Sequence, residues 1–168
     1  MDRSSGKLYA VWQDTRFSGV DEIALSTSSD GGNSWSAPIK VNQTPRNTNA
    51  ADEQAFVPNI RVASDGSVAV TYYDFRNNDA SPGVPTDAWI VRCASNCGSS
   101  ANWGDEARLS PTSFDIEQAP AARGPFGYFL GDYEGLANAG SSFVFAFIQV
   151  NNGETANRTD VFETKVTH

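Results

Sequence analysis

The chain has 168 residues, 39% of them hydrophobic and 11% aromatic, which is enough for one domain with a real core. Its formal charge is −8, from 12 basic against 20 acidic side chains, and this argues against nucleic acid or an anionic membrane as partner, since both demand a basic footprint. No apolar run is long enough to cross a bilayer, and the opening Met1-Asp2-Arg3-Ser4-Ser5-Gly6-Lys7 reads as a turn, not as a targeting sequence.

Short apolar runs alternate with Gly, Ser, Asn, Thr and Asp along the whole length, and no segment carries a convincing helical period. The expectation is an all-β chain. Strands are predicted over 8–14 and 22–27, followed by a tight turn over 28–35 and a return strand over 37–42. After a polar stretch, 43–54, the pattern repeats with one strand more. Strands over 57–63 and 68–74 are joined by Ser64-Asp65-Gly66-Ser67, a hairpin turn of the Asp-Gly kind. A loop over 77–86 leads to strands over 88–93 and 107–110. A loop over 111–125 then precedes a strand over 129–136, a turn at Asn138-Ala139-Gly140-Ser141, and strands over 143–148 and 160–166. The repeat shows in the residues themselves: Trp12-Gln13-Asp14-Thr15-Arg16 matches Tyr72-Tyr73-Asp74-Phe75-Arg76, and Phe147-Ile148-Gln149-Val150-Asn151 is a degenerate third copy.

The stretch Ser28-Ser29-Asp30-Gly31-Gly32-Asn33-Ser34-Trp35 sets the register of these units. Asp30 can accept hydrogen bonds from the backbone N–H groups just after it. Gly31 and Gly32 can take positive φ, and Trp35 is expected to bury its ring across the turn. The spacing of Ser28, Asp30, Gly32 and Trp35, with Ser34, resembles the Asp-box, or BNR repeat, of sialidases and related β-propellers. That resemblance implies a turn between the third and fourth strands of a blade, structural in role and remote from any active site. Ser95-Asn96-Cys97-Gly98 followed by Trp103 lines up as a second copy, with Cys97 in the place of the aspartate and one residue inserted before the Trp. We infer that a Cys93–Cys97 disulfide pins the second turn as Asp30 pins the first. Free thiols in a reduced protein are the alternative. Zinc lacks partners, because the only histidine is His168. A disulfide implies an oxidising, secreted, extracellular or periplasmic setting.

Four short strands per unit imply propeller blades. The expected fold is a sialidase-type β-propeller of two and a half to three four-stranded antiparallel blades. The first blade, 1–42, lacks its first strand; the second is 55–110; the third, 126–168, lacks its fourth. Three blades cannot close a ring. The chain is therefore expected to be a fragment of a longer protein or to need a second copy, because open edges invite pairing.

The short turns and the long loops (43–54, 77–86, 111–125) fall on opposite faces of such a propeller, and function concentrates on long loops held by a rigid scaffold. On that face, Asp14 with Arg16 and Asp74 with Arg76 either tie down a blade edge or bind an anionic ligand, for which the planar guanidinium is suited. Trp12 to Arg16, Phe56-Val57-Pro58-Asn59-Ile60 and Phe129-Leu130-Gly131-Asp132-Tyr133-Glu134-Gly135-Leu136-Ala137 are similar to segments of bacterial sialidase-like BNR proteins. That resemblance implies hydrolysis of a terminal sialic acid or related glycoside, with Asp132, Tyr133 and Glu134 as the catalytic candidates. Sialidases use a tyrosine nucleophile paired with a glutamate, an aspartate acid/base and three arginines on the sugar carboxylate. The chain departs from that pattern: the Arg-Ile-Pro segment is absent, and Tyr133 and Glu134 are neighbours that a strand would turn to opposite faces. A non-catalytic propeller that binds glycan or protein is the alternative. No cofactor or metal site is expected, although the acidity admits calcium, and Asp52, Glu53, Asp115 and Glu117 are further carboxylates on the long loops.

Overall fold

A computed structural model describes residues 1–46, 50–120, 129–131 and 134–167. Eleven strands follow one another: β1 (Leu8–Asp14), β2 (Glu22–Ser28), β3 (Ile39–Lys40), β4 (Ala55–Val62), β5 (Val68–Asp74), β6 (Pro85–Cys93), β7 (Gly104–Arg108), β8 (Phe114–Asp115), β9 (Gly135–Ala139), β10 (Ser142–Val150) and β11 (Thr159–Val166). The only helical pieces among the described residues are single 3-10 turns, at Ala50–Glu53, Ser100–Asn102 and Ile116–Gln118.

The strands form three antiparallel sheets, β1-β2-β3, β4-β5-β6-β7 with β8 added to β6, and β9-β10-β11; none is closed. Several boundaries moved. β6 starts at Pro85, three residues before the strand expected over 88–93, β7 covers Gly104–Arg108 where 107–110 was expected, and β8 lies inside the loop expected over 111–125. The strand expected over 129–136 starts only at Gly135, and Asn138 and Ala139 belong to it, so the turn shrinks to Gly140 and Ser141. The return strand over 37–42 shortens to Ile39–Lys40, although the Val41 N–H still reaches the Ile23 carbonyl at 3.0 Å.

The three sheets lie side by side with like ends aligned. At one end the Gln13 side chain, late in β1, accepts a hydrogen bond from the Val57 N–H early in β4, and the Ala55 N–H donates to Asp21. Along the next junction, Asn59 donates to the Glu134 carbonyl, Arg61 to Asn138 and Ser64 to the Gly140 carbonyl. The order is preserved, so β4 and β9 run parallel. The short turns therefore gather at one end and the loops 43–54, 77–86 and 111–120 at the other.

Period-two alternation builds two cores from the middle sheet. In β5, Val68, Val70 and Tyr72 face Ile23, Leu25 and Val41 of the first sheet. Ala69 and Tyr73 face Phe143, Phe145 and Phe147 of the third. Every residue of β5 is buried as a result. Phe145 and Phe147 stack at 5.3 Å, and Tyr73 meets Phe114 edge-on at 6.0 Å.

The Asp30 turn is built as its residues require. The Asp30 carboxylate accepts from the Ser34 N–H at 2.9 Å and the Ser34 hydroxyl at 2.6 Å, and the Ser28 hydroxyl donates to it at 2.8 Å. The Gly32 N–H donates to the Ser28 oxygen, with Gly31 at φ 75° and Gly32 at φ 94°. Ser34, first by its hydroxyl and then by its N–H, holds the Asp30 carboxyl well below the usual carboxylate range. Trp35, expected to bury its ring, is 45% exposed. Its indole N–H folds back to the Gly32 carbonyl at 3.2 Å, which lays the ring on its own turn. The second copy behaves otherwise. A Cys93–Cys97 disulfide closes it, Trp103 is buried in the core, and its indole donates to the Cys97 carbonyl at 3.0 Å.

Candidate functional site

The loop end holds a cavity of about 340 Å³ lined by Asp52, Gln54, Phe75, Asn78, Val84, Ile116 and Glu117. Its walls come from all three long loops. Asp52 and Gln54 precede β4, Phe75, Asn78 and Val84 lie between β5 and β6, and Ile116 and Glu117 follow β8. Phe75, Val84 and Ile116 supply apolar surface. Phe75 is backed by Phe56 at 4.9 Å between ring centres. The Asn78 side-chain amide donates to the buried Asp52 carboxylate at 2.7 Å, and the Asn78 carbonyl oxygen Oδ1 is itself buried with no hydrogen-bond partner.

Asp115 holds this arrangement. Its carboxylate accepts from the Val84 N–H at 2.9 Å, the Glu117 N–H at 3.1 Å and the Gln118 amide at 3.0 Å. Pro85 and Thr86 pair with Asp115 and Phe114 across the β6–β8 ladder. Gly83, at φ 99°, has to be glycine: a Cβ there would sit 2.8 Å from the Asp115 carboxylate. Partial burial opposes the charge on Asp115, but the donors of Val84, Gln118 and Glu117 outweigh it and hold the carboxyl below its ordinary value. Of the loop carboxylates, Asp115 is thus a structural tie, Glu117 is exposed at the rim and Asp52 is sunk in the wall. Phe75, Asn78, Val84 and Ile116 carry no chemical signal in the sequence. Only the length of the loops pointed to this end.

The two Asp–Arg pairs sit at matching strand ends but in different surroundings. Asp14 takes the Arg16 Nε at 2.7 Å and the Arg16 N–H at 2.9 Å, which hold its carboxyl down to about 2. The Arg16 side chain is half-exposed. Asp74 is fully buried, and burial pushes its carboxyl up despite Arg76 and Thr44 beside it. Arg76 is consumed: it binds Asp74 at 2.6 Å and Glu106 at 2.5 Å, and its guanidinium stacks 3.7 Å from the Trp89 ring centre. The Tyr72 hydroxyl also donates to Glu106. In a third acid–base cluster the buried Asp87 is held by Arg108, Ser110, Ser113 and Asn77.

Of the three catalytic candidates, Asp132 and Tyr133 lie outside the described residues. Glu134 sits immediately before β9. Its two carboxylate oxygens are buried with no hydrogen-bond partner, and burial pushes its carboxyl up to about 8. The Tyr73 hydroxyl adjoins it but is committed, donating to the Ile148 carbonyl at 2.8 Å and accepting from the Ile148 N–H at 3.0 Å. A hydroxyl has one proton, so Tyr73 cannot also donate to a charged Glu134. Its own ionisation is pushed up, by burial first and by Glu134 second. Among the described residues, no three His, Cys, Asp or Glu side chains come together as a metal site, and no helix is long and apolar enough to cross a membrane.

No protein-family model matches the chain, and a search of curated proteins likewise finds no match.

Proposed function

We propose that this chain is part of a secreted, sialidase-like β-propeller and that it binds carbohydrate in the cavity at its loop end. The observation that carries the reading is the convergence there of three long loops on an apolar floor rimmed by hydrogen-bonding side chains. That is how sugars are commonly held: C–H faces lie on apolar surface, and a few placed polar groups fix orientation. Supporting it are the Asp-box geometry at the opposite end, the buried disulfide, and the unpaired outer edges of β1 and β11 among the described strands. Further blades of a longer chain, or a second copy, would complete the ring on those edges.

The test is a glycan array probed with the oxidised protein, beside a Phe75→Ala variant. Binding of some glycan class that falls at least tenfold in the variant, with unchanged thermal unfolding, supports the reading. No binding to any class overturns it. Glycoside hydrolysis is a second reading, favoured by one observation: Glu134 is a buried carboxyl without a hydrogen-bond donor, and burial pushes it up, the direction a general acid needs. A fluorogenic sialoside that is turned over by the protein, but not by Glu134→Gln, would support it.

A further inference from the structure

Sialidase-like binding implies a ligand carrying a carboxylate, yet the cavity is chemically the wrong shape for one. Its described lining contains two carboxylates, Asp52 and Glu117, and no basic side chain. Of the described guanidinium groups near these loops, Arg76 is 10% exposed between Asp74 and Glu106, Arg108, a third exposed, is bound to Asp87, and Arg46 donates to the Phe17 carbonyl. What the lining offers is mainly acceptors, with the Gln54 amide beside them. Among the described residues the Asp52 carboxylate takes one donor, the Asn78 amide. Glu117 stands exposed at the rim. The Asp52 and Glu117 carboxylates can take O–H donors from a ligand. Carboxylates beside an apolar floor of Phe75, Val84 and Ile116 therefore match a sugar rich in O–H donors. A bound carboxylate would bring further acceptors and a like charge into partly buried surroundings, where repulsion is screened least.

We propose that the cavity selects a neutral sugar, bound through hydroxyl donors to Asp52 and Glu117, and rejects sugars that carry a carboxylate. This rests on the carbohydrate-binding reading above and names the substrate class of the same cavity. The experiment is isothermal titration of the oxidised full chain with matched oligosaccharides, one ending in a neutral hexose and one ending in sialic acid, at low and high salt. The neutral ligand is expected to bind at least about tenfold more tightly, with the gap narrowing in high salt and in Glu117→Gln, as for like charges brought together. Asp52→Asn, which removes the second carboxylate charge of the lining and keeps its shape, should narrow the gap further. Equal or tighter binding of the sialylated ligand overturns the selectivity and leaves carbohydrate binding standing. Binding of neither overturns both.

Discussion

Replacing Glu134 by Gln should remove a large part of the pH dependence of stability. The wild-type carboxyl is buried, lacks a donor and is raised from 4.5 to about 8. Between those values the folded chain holds a proton that the unfolded chain has released. The folded state is therefore favoured at low pH, and stability falls as pH rises through that window. Below it the group is protonated in both states and contributes no slope; above it the group is ionised in both. At about 1.4 kcal/mol per unit, the full window corresponds to roughly 5 kcal/mol as an upper figure. Glutamine keeps the shape and cannot ionise. Urea unfolding followed by tryptophan fluorescence, from pH 5 to pH 8.5, gives the difference between wild type and variant at each pH, and groups common to both cancel. That difference should move by about 3–4 kcal/mol in favour of Glu134→Gln as pH rises. A difference that stays flat with pH would show that Glu134 ionises normally and that its burial has been misread.

Two further perturbations separate the blade ties. Arg76→Met leaves the buried Asp74 and its neighbour Glu106 without their cation, and should cost about 3–5 kcal/mol in urea unfolding. Adding Asp74→Asn should recover part of that. Arg16→Met at the matching position should leave the urea midpoint almost unchanged, because that side chain is half-exposed. Reduction of Cys93–Cys97, or replacement of both cysteines by Ser, opens a ring spanning residues 93–97 and should lower stability by about 2 kcal/mol on the loop-entropy estimate. Differential scanning calorimetry with and without reductant checks it, and an unchanged midpoint would mean that the turn is held by Trp103 alone.

What was legible in the sequence was local. Asp30 and its serines, Gly31 and Gly32 act within a few residues of one another, and a spacing pattern captures that. The registers that pair Asp14 with Glu22 and Asp74 with Asp87 follow from the same repeat that aligns Trp12 with Tyr72. Trp35 and Trp103 show the limit. The same motif position is exposed in one copy and buried in the other, and the difference lies in whether a second layer packs over it.

The cavity belongs to the illegible part for a definite physical reason. Its walls meet because Asp115 collects the Val84 and Glu117 N–H groups from two loops while its own N–H reaches Asn152, between β10 and β11, at 2.8 Å. Val84 and Asn152 lie 31 and 37 residues from Asp115 in sequence. A carboxylate on a long loop reads as solvated until its donors are known, and of the four considered, the one whose donors stitch the loops together is least available to a ligand. The same holds for the arginines. Arg16 and Arg76 share a motif, but Glu106 and Trp89, from strands that the motif does not contain, turn Arg76 into an internal tie. A family pattern transfers the position of a side chain; whether its charge remains on offer depends on neighbours that the pattern leaves out. With Arg76 so engaged and Asp52 and Glu117 in the lining, the cavity presents acceptors, and that favours a hydroxyl-rich ligand over an anionic one.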